Sequence, residues 1–221
     1  MAGPKVTRTA PTAPEDALHA RGLTRVAGVD EAGRGPLAGP VVAAAVVFPP
    51  GTVIGGVYDS KRLSPKRREI LAWQIKSAAA AYGIGRVSPA DIDRVNILQA
   101  TMMAMEEAVM AAQAMLGAPV QYALIDGTRV PNLGCPAQRI VKGDTLSHSI
   151  AAASILAKVE RDNFMAWLDA LYPLYGFAAH AGYGTRAHLA ALREHGPCEA
   201  HRFTYKGVKP PSSHGVPTGL S

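Results

Sequence analysis

The stretch GVDEAGRGPLAGP, residues 28–40, decides the fold that the sequence predicts. An apolar run, residues 26–29, leads directly into two adjacent acids, Asp30 and Glu31, and a second apolar run, residues 41–48, follows the glycines. Short valine-rich runs punctuated by Gly and Pro are typical of strands joined by tight turns. The pattern therefore predicts a strand, a turn and a second strand, with both carboxylates at the rim of a sheet.

The rest of the chain alternates between helical and extended patterns. Two segments begin with Ser-Pro, which is the arrangement of an N-cap followed by a proline in the first helical turn. This order of elements predicts an α/β fold in which helices cover a mixed sheet. The predicted helices span residues 64–81, 88–116, 145–172 and 185–196, and the further strands span residues 81–87, 122–127 and 138–144.

Composition bounds the class of protein. The chain has 221 residues, 48% of them hydrophobic, which is enough for a globular core and excludes a disordered chain. The longest apolar run, residues 41–48, is far shorter than the roughly 20 residues of a membrane helix, and the N-terminus lacks the apolar segment of a secretory signal. Two cysteines, Cys135 and Cys198, are too few for a disulfide framework. We expect a soluble, monomeric, cytoplasmic protein, and the net charge of +6 suggests a polyanionic partner.

Two further acids, Asp126 and Asp144, follow apolar runs in the same way as Asp30 and Glu31. If the fourth and fifth strands are parallel, they deliver Asp126 and Asp144 to one rim. A single Asp before Gly is usually only a turn former or a helix cap, but four acids in this position are better explained together. Clustered carboxylates repel one another, and hard cations such as Mg²⁺ prefer oxygen ligands. The four acids are therefore candidate metal ligands.

The chain resembles the ribonuclease HII family, the type 2 ribonucleases H. The matching stretches occur in the order typical of the family over residues 25–205: GVDEAGRGPLAGPVV, YDSKRLSPKRRE, VNILQATMMAM, ALIDG, IVKGD, SIAAASILAKVERD and HAGYGTRAH, followed by His201 and Arg202. The resemblance implies a ribonuclease H-like mixed five-stranded sheet flanked by helices, with a small C-terminal helical extension. It implies hydrolysis of RNA in RNA/DNA hybrids, and a cut 5′ of single ribonucleotides in duplex DNA that leaves 3′-hydroxyl and 5′-phosphate ends. It also implies Mg²⁺ or Mn²⁺ as cofactor, in a two-metal mechanism.

The resemblance assigns roles to individual residues. The catalytic metal ligands are Asp30, Glu31, Asp126 and Asp144. The substrate-binding residues are Gly33, Arg34, Gly35, Ser60, Lys61, Asn96, Ser154, Lys158 and Tyr183. In the family the turn at Gly33–Gly35 reads the ribose 2′-hydroxyl, which distinguishes RNA from DNA, and Tyr183 packs on the neighbouring sugar. Ala181 departs from the pattern, because the family usually has a lysine there, and Asn96 could be only a helix cap.

Four segments describe the predicted domain organisation. Both ends are poor in apolar periodicity and are predicted to be flexible tails. The segments are an N-terminal tail, residues 1–22; a catalytic domain, residues 23–170; a C-terminal helical extension, residues 171–205; and a second tail, residues 206–221.

Three other functions fit single features of the sequence. Residues 33–38 match a loose dinucleotide-binding pattern, but a β-branched run follows them instead of a helix. His195, Cys198 and His201 have a spacing that could hold zinc, although only three ligands are evident. A non-catalytic basic module that binds nucleic acid fits the charge, but it leaves the four acids unexplained.

Overall fold

Five strands form one sheet in this computed structural model, which describes residues 8–208. The strand order is β3-β2-β1-β4-β5; β2 is antiparallel to both β1 and β3, and β4 and β5 run parallel to β1. This confirms the predicted mixed five-stranded sheet. The strands are β1 (Val26–Ala32), β2 (Val41–Val47), β3 (Ala81–Val87), β4 (Tyr122–Asp126) and β5 (Ala137–Ile140).

Helices follow the predicted segments with two interruptions. Asn96 has a positive φ of 70° and divides the segment predicted as one helix over residues 88–116. Ser147 is extended and separates a short helix from the long one that follows. The helices are α1 (Ala13–His19), α2 (Pro65–Ala78), α3 (Pro89–Val95), α4 (Ile97–Leu116), α5 (Gly143–Leu146), α6 (His148–Leu171), α7 (Phe177–His180) and α8 (Arg186–His195), with a 3₁₀ turn at Ser60–Arg62.

The sheet is buried on both faces. Val41, Ala43 and Ala45 of β2 pack in the core that contains α4, whereas Ala44 and Val46 pack in the core that contains α2 and α6. This alternation follows from the two-residue period of a strand. It explains why β2 is apolar throughout, since a strand covered on both faces has no polar side.

Helix α6 lies directly against β1. A Cβ at Gly28 would approach the carbonyl carbon of Ser149 to 2.2 Å, so only glycine permits this contact. Asp30 lies two residues after Gly28 and therefore shares the face that α6 covers. The close packing places the middle of α6 next to the acids at the end of β1.

The predicted N-terminal tail, residues 1–22, is wrong in its second half. Residues 13–19 form α1, and the buried carboxylate of Glu15 accepts hydrogen bonds from Ser147 Oγ (2.6 Å), Ser149 N (2.8 Å) and Ser149 Oγ (2.6 Å). A helix of seven residues is too short to show a clear apolar period, and its anchor is a polar contact distant in sequence. Residues 1–7 lie outside the described residues.

The C-terminal extension is helical, as predicted, and contains α7 and α8. Its small core includes Phe177, Leu192 and Val208. Val208 is buried, so the predicted tail from residue 206 begins too early, because this valine completes that core. Residues 209–221 lie outside the described residues. The boundary between residues 170 and 171 stays a prediction. None of the helices within residues 8–208 is both long enough and apolar enough to cross a membrane.

Candidate active site

Four acids lie near one rim of the sheet, and their elements explain how they reach it. Asp30 and Glu31 come from the end of β1, and Asp126 is the last residue of β4, the parallel neighbour of β1. The sequence analysis predicted that the fifth strand ends at Asp144, and this prediction is wrong. β5 ends at Ile140, and Asp144 lies in the first turn of α5. Gly143 N donates to Asp126 Oδ1 at 2.7 Å, which ties the start of α5 to the end of β4.

Asp30 and Glu31 point from opposite faces of β1 but line the same cleft. Asp30 is buried on the α6 side, whereas Glu31 lies next to the exposed Arg34, with 3.5 Å between Glu31 Oε1 and the Arg34 guanidinium. The strand ends one residue later, at Ala32, so side chains from both faces of the strand can reach the same cleft.

Burial and mutual repulsion disfavour the charged forms of these acids. Burial, followed by the charges of Glu31 and Asp126, raises the pKa of Asp30 well above its usual value. Burial also raises the pKa of Glu31, although Arg34 opposes this effect, and the charge of Asp126 adds to it. The pKa of Asp144 is raised by burial and then by Asp126 and Asp59. The surrounding protein, through Arg34 and Lys61, therefore compensates only part of the negative charge of the ionised rim.

The donor chemistry of the rim fits a hard divalent cation. Carboxylate oxygens are the preferred ligands of Mg²⁺ and Mn²⁺, and a cation would stabilise the charged forms that burial and repulsion disfavour. Within residues 8–208, however, no three side chains of His, Cys, Asp or Glu are already arranged as a metal site. The acids are thus near one another without forming a finished coordination shell.

A glycine loop, residues 33–40, forms the wall of the cleft beside the acids. Gly33 has a φ of 95°, and a Cβ there would approach Arg161 Nε to 2.0 Å. Both the conformation and the contact therefore require glycine at this position. Gly33, Arg34 and Gly35 line the cleft together with Asp30 and Glu31.

Two buried arginines hold the glycine loop by its carbonyl groups. Arg161 of α6 donates to Pro40 O and Ala38 O, both at 3.1 Å. Arg202 donates to the carbonyls of Gly33 (2.6 Å), Arg34 (2.9 Å) and Gly39 (2.8 and 3.0 Å). The sequence analysis missed the role of both arginines, because their partners are backbone atoms more than 120 residues away. Arg161 lies in the matching stretch SIAAASILAKVERD and Arg202 follows the last matching stretch, and these matches were the only signals.

The remaining predicted substrate residues reach the cleft, with one exception. Ser60 and Ser154 are buried with their hydroxyl oxygens 3.0 Å apart, and a hydrogen bond from Ser154 partly offsets the raised pKa of Asp30. Lys61 is exposed in the middle of the 3₁₀ turn, and Lys158 Nζ donates to Asp162 at 2.6 Å. These four residues line the cleft.

Asn96 is the exception. It does not line the cleft with the others, and its side chain accepts from the backbone N–H groups of Leu98 and Gln99 at the start of α4. This is the helix cap that the sequence analysis considered as the alternative. A substrate contact by Asn96 would require the cap and the substrate to share one side chain.

Tyr183 lies on the turn between α7 and α8, next to the glycine loop, where a Cβ at Gly35 would be 3.7 Å from the tyrosine ring. Its side chain is 48% exposed and lines the cleft with Gly35. Ala181, where the family usually has a lysine, precedes this turn with a positive φ of 49°.

The alternative sites are not supported. The glycine loop leads into β2 and not into a helix, which excludes the dinucleotide-binding geometry. Cys198 Sγ lies 3.3 Å from His201 Nδ1, but this nitrogen accepts the Cys198 N–H, and His195 takes no part in a metal cluster within the described part of the chain.

Comparison with known proteins identifies the family. The sequence profile of the family described as Ribonuclease HII matches residues 27–208. The chain belongs to the ribonuclease HII family. It is 54% identical over 195 residues to the ribonuclease HII of Geobacter metallireducens, a match that covers 88% of this chain and 90% of the relative. It is 56% identical over 187 residues to ribonuclease HII 1 of Methylibium petroleiphilum, which covers 85% and 92%.

Solved structures agree with this assignment. The RNase HII in a complex with PCNA from Archaeoglobus fulgidus superposes with a TM-score of 0.66 at 27% identity, over 82% of this chain and 95% of that one. Ribonuclease H2 from Pyrococcus horikoshii gives a TM-score of 0.64 at 26% identity, over 82% and 94%. A Bst-RNase HIII in complex with Mn²⁺, at 18% identity and a TM-score of 0.63 over 94% and 75%, shares the fold. As a ribonuclease HII, the chain is a ribonuclease H, and the non-catalytic binding module is therefore excluded.

Proposed function

We propose that this ribonuclease HII is a divalent-metal-dependent endonuclease that hydrolyses the RNA strand of RNA/DNA hybrids. We further propose that it cuts on the 5′ side of single ribonucleotides in duplex DNA and leaves 3′-hydroxyl and 5′-phosphate ends. The observation that carries the proposal is a cleft in which only partly compensated carboxylates lie beside an arginine-braced glycine loop and an exposed tyrosine.

The acids are proposed to hold the cofactor. Asp30, Glu31, Asp126 and Asp144 supply the oxygen ligands that Mg²⁺ or Mn²⁺ prefers. A pair of such ions, when bound, activates a water and stabilises the leaving oxygen of a phosphodiester. Because the cation supplies this chemistry, the chain needs no nucleophilic side chain of its own.

The glycine loop is proposed to recognise the ribose. Gly33 and Gly35 lack side chains, so the backbone between them can approach a sugar closely. Arg161 and Arg202 hold the carbonyls of this loop from behind, which keeps its polar groups fixed before substrate binds. A site built to hydrogen-bond a hydroxyl rejects the analogue without that hydroxyl by roughly 10⁴-fold, because its own polar groups are then left unpaired.

Basic and hydroxyl side chains complete the proposed substrate surface. Lys61 and Lys158 line the cleft beside the acids, and Ser60 and Ser154 offer hydroxyl groups at its floor. Phosphate contacts of this kind position the duplex, whereas contacts to the sugar decide which strand and which residue are cut. Tyr183 is proposed to pack on the deoxyribose next to the ribonucleotide.

A duplex of DNA that contains one ribonucleotide tests this proposal. We expect one cut on the 5′ side of the ribonucleotide with Mg²⁺, none with EDTA, and none in the matched all-DNA duplex. Mapping the product ends distinguishes a 3′-hydroxyl from a 2′,3′-cyclic phosphate. Cleavage of long hybrids without cleavage of this substrate would leave the general activity intact and would disprove the single-ribonucleotide activity.

A further inference from the structure

Two histidine side chains hold the backbone on which Tyr183 stands. His180 Nδ1 lies 3.2 Å from Gly182 N, and His188 Nδ1 lies 2.9 Å from Tyr183 O. The other nitrogen of His180 lies 2.8 Å from Tyr175 O. The turn before α8 is therefore fixed by side chains and not only by its own backbone.

The partners of these nitrogens determine the tautomer of each ring. A backbone N–H can only donate, so His180 Nδ1 accepts from Gly182, and its Nε2 carries the proton that it donates to Tyr175 O. A carbonyl can only accept, so His188 Nδ1 carries a proton and donates it to Tyr183 O. The neutral His188 ring then has only its Nε2 as an acceptor.

A third histidine completes this chain of hydrogen bonds. His201 Nε2 lies 3.0 Å from His188 Nε2, and the Cys198 N–H donates to His201 Nδ1 at 3.0 Å. Cys198 O also lies 3.2 Å from His201 Nδ1, so this nitrogen alone does not fix the tautomer. Because His188 Nε2 can only accept, His201 carries its proton on Nε2 and donates it to His188. The order of donors runs from Cys198 N–H through His201 and His188 to the carbonyl of Tyr183, and each ring is neutral.

The surroundings keep the two rings of this chain uncharged. His188 and His201 are fully buried, and aromatic rings cover them: Phe177 lies 5.5 Å from the His188 ring and Tyr175 lies 4.8 Å from the His201 ring. Burial, together with the neighbouring histidines, lowers the pKa of His188 and lowers that of His201 to about 4. A proton on either ring would set two N–H groups against each other and break the chain.

The turn at Tyr183 also contacts the glycine loop. Leu37 N donates to Gly182 O at 2.8 Å, and a Cβ at Gly182 would approach Ala38 O to 2.5 Å. Any displacement of the turn would therefore change the distance between Tyr183 and the wall formed by Gly33–Gly35.

We propose that His188 is a positioning residue for Tyr183, and that the proton fixed on its Nδ1 sets the place of the tyrosine ring over the cleft. The proposal rests on the proposed function, because it assigns His188 an effect on the substrate that Tyr183 contacts. His201 acts through His188 by fixing its tautomer.

Two substitutions of similar size separate the two nitrogens of His188. In His188→Asn the amide nitrogen takes the place of Nδ1 and can still donate to Tyr183 O. In His188→Gln the amide reaches the place of Nε2 and can still pair with His201, but the donor to Tyr183 O is lost. On the single-ribonucleotide duplex we expect kcat/KM within about threefold of wild type for Asn and a loss of about tenfold for Gln, the usual effect of one hydrogen bond. On a long hybrid the loss for Gln should be smaller.

The same measurement in a Tyr183→Ala background separates this proposal from the proposed function. If His188 acts through Tyr183, then His188→Gln should cause no further loss once the ring is absent. A loss for Tyr183→Ala with none for His188→Gln would overturn the positioning role alone. Wild-type behaviour of Tyr183→Ala would overturn the proposed Tyr183 contact and with it the positioning role of His188, but not the proposed metal-dependent hydrolysis. Equal losses for Asn and Gln on both substrates, in proportion to melting temperature, would reduce His188 to a structural role.

Nitrogen-15 NMR of the histidine rings provides a test that requires no variant. At pH 6 to 7 the wild-type protein should show His188 protonated on Nδ1 and His201 protonated on Nε2, both neutral. The opposite tautomer or a charged ring at His188 would overturn the proposal.

Discussion

The acid rim (Asp30, Glu31, Asp126 and Asp144) and the histidine chain (Cys198, His201 and His188), which ends at the carbonyl of Tyr183, differ in how their polar groups are satisfied. In the histidine chain each ring nitrogen has a partner that fixes its proton. In the acid rim, burial and neighbouring carboxylates raise the pKa of three of the four acids.

This difference separates two uses of buried polar groups. A fully paired network fixes geometry, because every group would lose a partner if the structure moved. A cluster of like charges is instead unfavourable until a ligand of opposite charge arrives. We conclude that the histidine chain fixes the position of a side chain and that the acid rim serves the chemistry.

The largest expected effect is the loss of hydrolysis when a rim acid becomes an amide. Asp126→Asn should lower kcat by roughly 10³-fold or more, because the amide keeps the shape but removes the charge that holds the cation. Asp30→Asn and Asp144→Asn should act in the same way. The measurement is single-turnover cleavage of a hybrid at saturating Mg²⁺.

The stability of the same variants sharpens the comparison. Asp30→Asn should raise the melting temperature, since it removes a buried charge that Glu31 and Asp126 repel. Asp91→Asn, an exposed acid on α3, is the matched control and should leave cleavage unaltered. Near-wild-type turnover in a rim variant would remove that residue from the catalytic set.

The next largest effect concerns the arginine that braces the glycine loop. Arg202→Met should lower the free energy of unfolding by about 3 kcal/mol or more, because the carbonyls of Gly33, Arg34 and Gly39 would lose their buried donors. Urea denaturation measures this change, and Arg193→Met on the exposed side of α8 is its control. If the free energy of unfolding changes by the same small amount in both variants, water replaces the Arg202 guanidinium without a loss of stability.

The pH dependence of stability tests the histidine chain. The pKa of His201 is lowered to about 4 from 6.5, so the unfolded chain binds this proton more readily than the folded protein does. The stabilising contribution is complete above about pH 6.5 and is lost as the pH falls towards 4, and it amounts to roughly 3 kcal/mol.

A difference measurement isolates this contribution. The acid rim also titrates, but it does so in both wild type and His201→Gln, and the titratable groups around the ring are His188, His180, Tyr175 and Cys198. Between pH 6.5 and 4 the wild type should lose stability relative to His201→Gln. Parallel curves would mean that the ring is not held neutral.

The smallest effect concerns the N-terminal helix. Glu15→Ala should lower the free energy of unfolding by roughly 1 to 3 kcal/mol, because Ser147 and Ser149 at the start of α6 lose their acceptor. Asp16→Ala, on the exposed side of α1, should change it by less than about 0.5 kcal/mol. If both variants have the free energy of unfolding of the wild type, the contacts of Glu15 contribute nothing to stability, which is the behaviour expected of a flexible tail.

The sequence predicted what depends on neighbours in the chain. The strands around residues 28–40, the Ser-Pro helix starts and the position of Asp126 all follow from local patterns, and the structure confirms them. The predicted position of Asp144 was wrong. β5 ends at Ile140, although the apolar run continues to Val141, and Asp144 lies in the short helix that follows.

Long-range contacts explain most of what the sequence did not predict. Arg161 and Arg202 act on distant backbone atoms, which carry no residue identity and leave no pattern in the sequence. His188 acts on a nearer backbone atom, the carbonyl of Tyr183, which leaves no pattern either. Glu15 was missed for a similar reason, since its partners lie more than 130 residues away. The resemblance to the family assigned roles to the glycine loop and Tyr183, but it assigned none to the side chains that hold them, although these side chains lie in or next to the matching stretches.

Calorimetric titration with Mn²⁺ in the absence of substrate tests most directly the claim that the acid rim is a cation site. The wild type should bind Mn²⁺, Asp126→Asn should bind it at least about tenfold more weakly, equal to about 1.4 kcal/mol, and His188→Asn should bind it like the wild type. Equal Mn²⁺ affinity in the wild type and Asp126→Asn would contradict the account, because the cation would then bind somewhere other than the rim.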